Sequence, residues 1–234
     1  MPLDPQTVRS DLTSQKVPTG TDLDTEEIRL FWDGRRRNQA MFSARTTSTA
    51  YLERVKEVLQ EYEDGVGEAE PQADQETITQ GKARARMQML EELQSLGIVE
   101  EAPGDSGRIT DLASSLRLNL ILETNAQVAH SLDQIQSSSD PVMKIMFPAW
   151  EFVRDEHRNE PRDWSARWQE SAAAVGYVGV ARNAGGRMVA LKNSPIWARL
   201  GSYDDGLGNP FPPFAFGSGM GWEDIDDEEW EELK

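Results

Sequence analysis

Apolar positions fall into separate runs along the chain, and their spacing changes midway. Residues 1–21 have no apolar period and carry Pro2, Pro5, Pro18 and Gly20 among polar residues, which predicts an extended arm. Asp24-Thr25-Glu26-Glu27 reads as a helix start, with acid in the first turn where the helix dipole favours it. Ile28, Phe31 and Trp32 follow at helical spacing, as do Tyr51, Val55, Val58, Leu59 and Tyr62 further on. The polar stretch between them holds Arg35-Arg36-Arg37, the densest basic cluster, read as a solvated face. Gly65 to Asp74 has a linker composition. A helix over Gln75–Leu96 is predicted to bury Ile78, Met87, Leu90, Leu93 and Leu96, with Gly97 as its left-handed C-cap. After Pro103, Gly104 and Gly107, Thr110 is placed to cap a third helix. Its stripe runs through Leu112, Leu116, Leu120, Ile121, Thr124, Val128, Leu132 and Ile135, and Ser137 to Pro141 ends it.

Beyond Pro148 the pattern shortens. Trp150, Phe152 and Val153 predict a strand, and Asp163 caps a helix with Trp164, Trp168 and Ala172 on one side. Tyr177, Val178 and Val180 predict a second strand, with Met188 to Leu191 returning from a turn at Asn183–Gly186. Ser194-Pro195 opens a one-turn helix carrying Ile196, Trp197 and Leu200. Gly206 to Gly221 is rich in Gly, Pro and Phe, and the last residues are acidic. The expected fold is α+β, with a mainly helical N-terminal half and a C-terminal half of a central helix, short antiparallel strands and long ordered loops. The expected divisions are an arm at 1–21, a helical region at 22–107, a domain at 108–221 and an acidic tail at 222–234.

Composition narrows the function classes. The formal net charge is -17, from 41 acidic and 24 basic residues. Non-specific nucleic-acid binding depends on Lys and Arg neutralising phosphates, so the average charge works against DNA contact. Local basic patches leave that contact open, and the acid suits solubility or a basic protein partner. The absence of cysteine excludes disulfides, thiolate zinc sites and cysteine nucleophiles. No run approaches the ~18 apolar residues of a bilayer span, and Met1 to Pro5 lacks the parts of a signal peptide, so a cytoplasmic origin and no membrane partner are expected.

Candidate chemistry is sparse. Trp150 to Arg158 gathers Glu151, Arg154, Asp155, Glu156 and His157, the densest polar group, yet no triad spacing accompanies His157. Glu123-Thr124-Asn125 is unusual in mid-helix, where Thr and Asn are weak helix formers, and reads as a hydrogen-bonding device that ties down a neighbouring loop. Asp204 to Asn209 lacks the ligand offsets of a calcium loop, and Gly217 to Gly221 lacks the Lys-Ser/Thr ending of a phosphate loop. Asn209-Pro210-Phe211-Pro212-Pro213-Phe214-Ala215-Phe216 joins a proline-stiffened backbone to three rings that must be buried, and is expected to pack on its own domain against the long helix near Glu123–Leu132.

Taken in order, these segments resemble a family. Leu120 to Gln127, with Glu123-Thr124-Asn125, resembles the polar-marked helix of the phage Mu F-like head-morphogenesis domain. Pro148-Ala149-Trp150-Glu151-Phe152-Val153-Arg154 is similar to its aromatic strand, and the stretch through Arg158, Pro161 and Arg162 to its arginine–proline region. Ser194-Pro195-Ile196-Trp197 with Asn209 to Pro213 resembles its closing segment. The likeness covers roughly residues 108 to 225. This chain departs from the family where many members carry Cys-Arg-Cys, having Gly219-Met220-Gly221-Trp222 instead.

The resemblance implies a minor head protein of the virion, present at the head interior or portal vertex and in the host cytoplasm during assembly. It would dock to the portal and to capsid or scaffold proteins, assisting head assembly and DNA packaging or ejection. No toxin domain is expected after the module. No catalytic residue, cofactor or metal ligand is assigned. The interaction residues it marks are Glu123, Thr124, Asn125, Trp150, Arg154, Arg162, Trp164, Trp168, Trp197, Asn209, Pro210, Phe211, Pro213, Phe214 and Phe216. Two other readings stand beside it: a hydrolase or transferase using Glu123, Arg154, Glu156 or His157, and an acidic inhibitor that mimics nucleic acid.

Overall fold

The computed structural model describes residues 13–68, 75–100, 104–155 and 161–234. The chain is α+β and divides into two units, Met1–Ala129 and His130–Lys234. The division therefore falls at Ala129, inside the long helix, and not at residue 107. A helix whose apolar residues reach most of the way round gives each unit something to pack against.

In the first unit, β1 (Val17–Pro18) precedes α1 (Thr25–Phe31), α2 (Gly34–Gln39), β2 (Ala40–Met41), α3 (Thr49–Glu68), α4 (Gln75–Ser95) and most of α5 (Ser115–Ser137). Helix α1 starts where the sequence predicts. Asp24 accepts from the Glu26 and Glu27 amides at 2.9 and 3.0 Å, and the Glu27 carboxylate accepts from the Asp24 amide at 2.9 Å. Asp33 then caps α2 by accepting from the Arg36 amide at 2.7 Å, so the arginine cluster is helical.

Residues 13–21 are not a free arm. β1 pairs in parallel with β2, Val17 opposite Ala40 and Pro18 opposite Met41. The Thr13 hydroxyl lies 2.8 and 2.7 Å from the two Glu63 carboxylate oxygens, and the Thr21 amide donates to Thr46 at 2.8 Å. Thr13 finds its partner on α3 and Lys16 finds one on α5, neither announced by a local pattern. Residues 1–12 of the expected arm lie outside the described residues.

The core of this unit joins Met41, Tyr51, Leu52, Val55, Val58 and Leu59 to Ala85, Met89, Leu93, Leu118 and Leu122. The prediction for α3 holds, but the helix runs on through Gly65 to Glu68, where a linker was expected. On α4 the buried stripe is Ala85, Met89 and Leu93, while Met87 and Leu96 are exposed; the Ile78 side chain lies outside the described set. Helix α5 begins at Ser115, not Thr110, and turns Leu118 and Leu122 inward while Leu116 is exposed. Leucines on several faces make the phase of such a helix ambiguous, and the neighbours decide it. Arg117 is also buried there, donating to Ser43 at 2.7 Å, to the Ile109 carbonyl at 3.1 Å and to the Ala44 carbonyl.

The second unit starts with the last turns of α5, followed by α6 (Pro141–Met146), β3 (Ala149–Arg154), α7 (Trp164–Ala174), β4 (Val189–Leu191), α8 (Ile196–Leu200), β5 (Met220–Ile225) and α9 (Asp227–Leu233). Strand β3 lies at the centre of an antiparallel sheet, order β4-β3-β5. Ala149 faces Leu191 on one side and Ile225 on the other, and Phe152 faces Trp222.

Two expectations change here. Tyr177 and Val178 form a turn instead of a strand: Tyr177 has φ 58 between left-handed Gly176 and Gly179, and only Val180 bridges to Ala190. A backbone forced to positive φ three times cannot sustain a ladder. The acidic tail is also part of the fold. Its start forms β5, and Trp222, Ile225 and Trp230 are buried. Most of its acidic residues are exposed, and α9 is capped by Asp226 accepting from the Glu229 amide at 2.8 Å.

Candidate functional site

Strand periodicity puts Trp150 and Phe152 on one face of β3, and register brings Trp222 of β5 beside them. Trp150 and Trp222 stack with centroids 3.8 Å apart and planes 10° from parallel. Helical spacing puts Trp164 and Trp168 on one side of α7, capped as predicted by Asp163, which accepts from the Ala166 amide at 2.8 Å. Both rings meet Phe152, Trp164 edge-on at 5.3 Å and Trp168 at 6.2 Å.

Trp197, on the one-turn helix α8 that Ser194-Pro195 predicts, sits at the hub. Its ring lies 6.1 Å from Trp150, 5.5 Å from Trp168, 6.4 Å from Phe214 and 5.2 Å from Trp222. Its indole N–H donates to the Leu191 carbonyl at 2.9 Å.

The proline–phenylalanine segment closes over this cluster. Gly206 bridges Ala215, and the Leu207 amide donates to the Phe214 carbonyl at 2.8 Å, so the segment doubles back on itself. The peptide bond between Pro212 and Pro213 is cis. Phe211, Phe214, Pro213 and Asn209 are buried, Phe216 is half-buried and Pro210 is exposed. The segment therefore packs on its own unit, as expected, and the ring partners of Phe214 are Phe152, Trp197 and Trp222.

Polar members of the candidate set act as ties. Arg162 Nε donates to Asp205 Oδ2 at 2.7 Å, and Arg167 grips both Asp205 oxygens at 2.8 and 3.0 Å. Burial alone would raise the Asp205 carboxyl; the bonds and charges of Arg167 and Arg162 overcome it and hold it down at about 2. Asp205 thus belongs to a two-arginine clasp that fastens the loop before the Phe segment to the start of α7. Arg154 is exposed at the end of β3, outside the aromatic body. Glu156 and His157 lie outside the described residues.

Glu123, Thr124 and Asn125 lie in the first unit, apart from this cluster in the division of the chain. Lys82 Nζ lies 3.7 Å from the Glu123 carboxylate. Asn125 ties down a neighbouring segment as its mid-helix position suggests: its oxygen accepts from Lys16 Nζ at 2.6 Å while its amide donates back to Ile121 at 2.8 Å.

Burial lowers the Lys16 ammonium from 10.5 to about 8, against the opposing pull of Glu63. The folded chain gives up this proton before the unfolded chain does, so the unfolded state binds more protons between those values and stability rises with pH there. Urea midpoints for the first unit should climb from about pH 7.5 to 9.5, and Lys16→Met should abolish the slope. A midpoint that is flat or falls in the wild type would refute the placement of Lys16.

Comparison with family models, curated proteins and solved structures yields no match for this chain. Among the described residues, no group of His, Asp and Glu side chains gathers that could hold a metal ion, and no helix is long and apolar enough to cross a membrane.

Sequence reasoning missed Phe152, Trp222 and Asp205 as members of the cluster. The alternation of Met220 and Trp222 was the available signal for β5, hidden by the acid that follows. Nothing local marks Asp205 as the partner of Arg162 and Arg167, because that pairing joins positions far apart in the chain.

Proposed function

We propose that this chain is a virion structural protein, a phage minor head protein of the Mu F-like head-morphogenesis kind, which acts by docking to portal and capsid or scaffold proteins. One observation carries the reading. The segments that carry the resemblance after Pro148 supply Trp150 and Trp197, and these join Trp164, Trp168 and Phe214 in a single buried aromatic body. Arg162 and Asp205 fasten it from outside. Motif residues spent on packing and on loop fastening suit a protein whose work is to present a rigid surface. The same rigidity favours assembly over the hydrolase or transferase reading, since Glu123 pairs with Lys82 and Arg154 stands exposed at a strand end.

The location that goes with this function is the head interior or portal vertex, with the host cytoplasm as the place of assembly. The test is co-sedimentation of the purified chain with the portal oligomer of the same phage, encoded in the neighbouring gene region. Stable comigration at micromolar concentration is expected. No comigration with portal, capsid or scaffold protein would overturn the reading.

A further inference from the structure

The chain is strongly acidic, and many of its cations face carboxylates. Arg54 meets Glu57 and Glu61, Arg162 and Arg167 share Asp205, Arg187 lies between Glu151 and Glu229, and Arg199 reaches Glu170. The corner where α1 passes into α2 differs. Among the described residues, Arg29, Arg36 and Arg37 make no ion pair there. Arg36 lies flat over the Trp32 ring, 4.3 Å from its centroid, and Arg37 Nε is buried without an acceptor. Burial holds the Arg37 guanidinium below its ordinary value, the like charge of Arg29 adds to this, and the Asp33 carboxylate opposes both.

Apolar side chains stand exposed at the same corner. Leu30 is 77% exposed, Phe31 65% and Val17 62%. An open cleft of about 310 Å³ is lined by Val17, Thr19, Asp33, Arg36, Gln39 and Ala40. Large apolar residues left in water next to unpaired guanidinium groups are a combination that monomeric surfaces avoid and interfaces use.

We infer that this corner is a docking face for an acidic protein segment carrying a large apolar side chain, with the arginines meeting its carboxylates and the exposed Leu30 and Phe31 meeting its apolar side chain. The occupant follows from charge complementarity together with the exposed Leu30 and Phe31. A phosphate backbone would satisfy the arginines but gain nothing from Leu30, and beyond the corner it would meet Glu26 and Glu27 in the first turn of α1. The inference rests on reading the chain as a docking protein, and names the chemistry of one partner.

The test uses the full chain and a fluorescein-labelled synthetic peptide with the sequence of residues 222–234, in which Asp and Glu alternate with Trp, Ile and Leu. Within the folded chain that segment's apolar residues Trp222, Ile225 and Trp230 are buried, so the free peptide is a clean acidic–apolar probe. Anisotropy should show saturable binding that weakens as salt rises, and at least a tenfold loss in Arg36→Glu and in Phe31→Ser. Both substitutions are at exposed positions, so unchanged urea midpoints confirm the fold. A peptide with Asn and Gln in place of the acids should not bind.

The inference is overturned if the acidic peptide does not bind, or if it binds equally well to both variants. It is overturned equally if single-stranded oligothymidylate of matched charge binds as tightly with the same dependence on Arg36, or if sedimentation shows self-association that Arg36→Glu abolishes. Peptide binding without portal comigration would sink only the virion reading; portal comigration that survives Phe31→Ser would sink only this docking face.

Discussion

Replacing Trp197 with Ala lowers the stability of the second unit by about 3–5 kcal/mol, the range for deleting a large buried aromatic side chain. The side chain is 3% exposed and its ring meets Trp150, Phe152, Trp168, Phe214 and Trp222. Its removal leaves a void among rigid rings that cannot collapse without losing their own contacts, and strips the Leu191 carbonyl of its indole donor. The measurement is urea unfolding followed by near-ultraviolet circular dichroism, which reports the coupled indoles. A cost under about 1 kcal/mol would show that Trp197 is not the hub, because such a loss is typical of a surface substitution.

The second large effect concerns the closing loop. A Cβ on Gly201 would lie 2.0 Å from the Asn209 carbonyl oxygen and 2.9 Å from its carbon, and the obstacle is backbone that no rotamer change can move. The Gly208 amide donates to the Gly201 carbonyl at 2.9 Å, which holds the two strands of the loop at that separation. Gly201→Ala should therefore push Asn209 to Phe216 off the aromatic body at a cost of about 1–3 kcal/mol, as overpacking does. Limited proteolysis reads the consequence: the wild type resists cleavage between Pro210 and Gly221, and the variant is cut there while α7 stays intact. Free cleavage of the wild type in that segment would refute the packing itself.

Trp197 and the Phe segment that these predictions read out were visible early, and the reasons are local; Gly201 was not, because its close neighbour Asn209 is known only from the fold. Asp24 and Asp163 announce helix starts because a carboxylate beside free amides has few better places to go. Trp164, Trp168 and Ala172 declare the buried side of α7 by spacing alone. The three Phe residues of the proline-stiffened segment had to be covered somewhere, and two of them are buried on their own unit. Asn125 was conspicuous because a polar residue in mid-helix needs a partner, though its spacing could not name Lys16.

What the linear pattern determined was the α+β class, most helix positions and the residues that must leave water, since these follow from backbone geometry and from apolar periodicity within a few turns. Only the tertiary structure decided that residues 13–21 are bound in place, that Trp222 and its acidic neighbours enter the sheet as β5, that Phe214 packs on Phe152, Trp197 and Trp222, and that Asp205 takes both Arg162 and Arg167. Each of those outcomes is a pairing between distant segments. Its free energy comes from area and charge that two surfaces share, and neither segment carries the identity of its partner in its own order of residues.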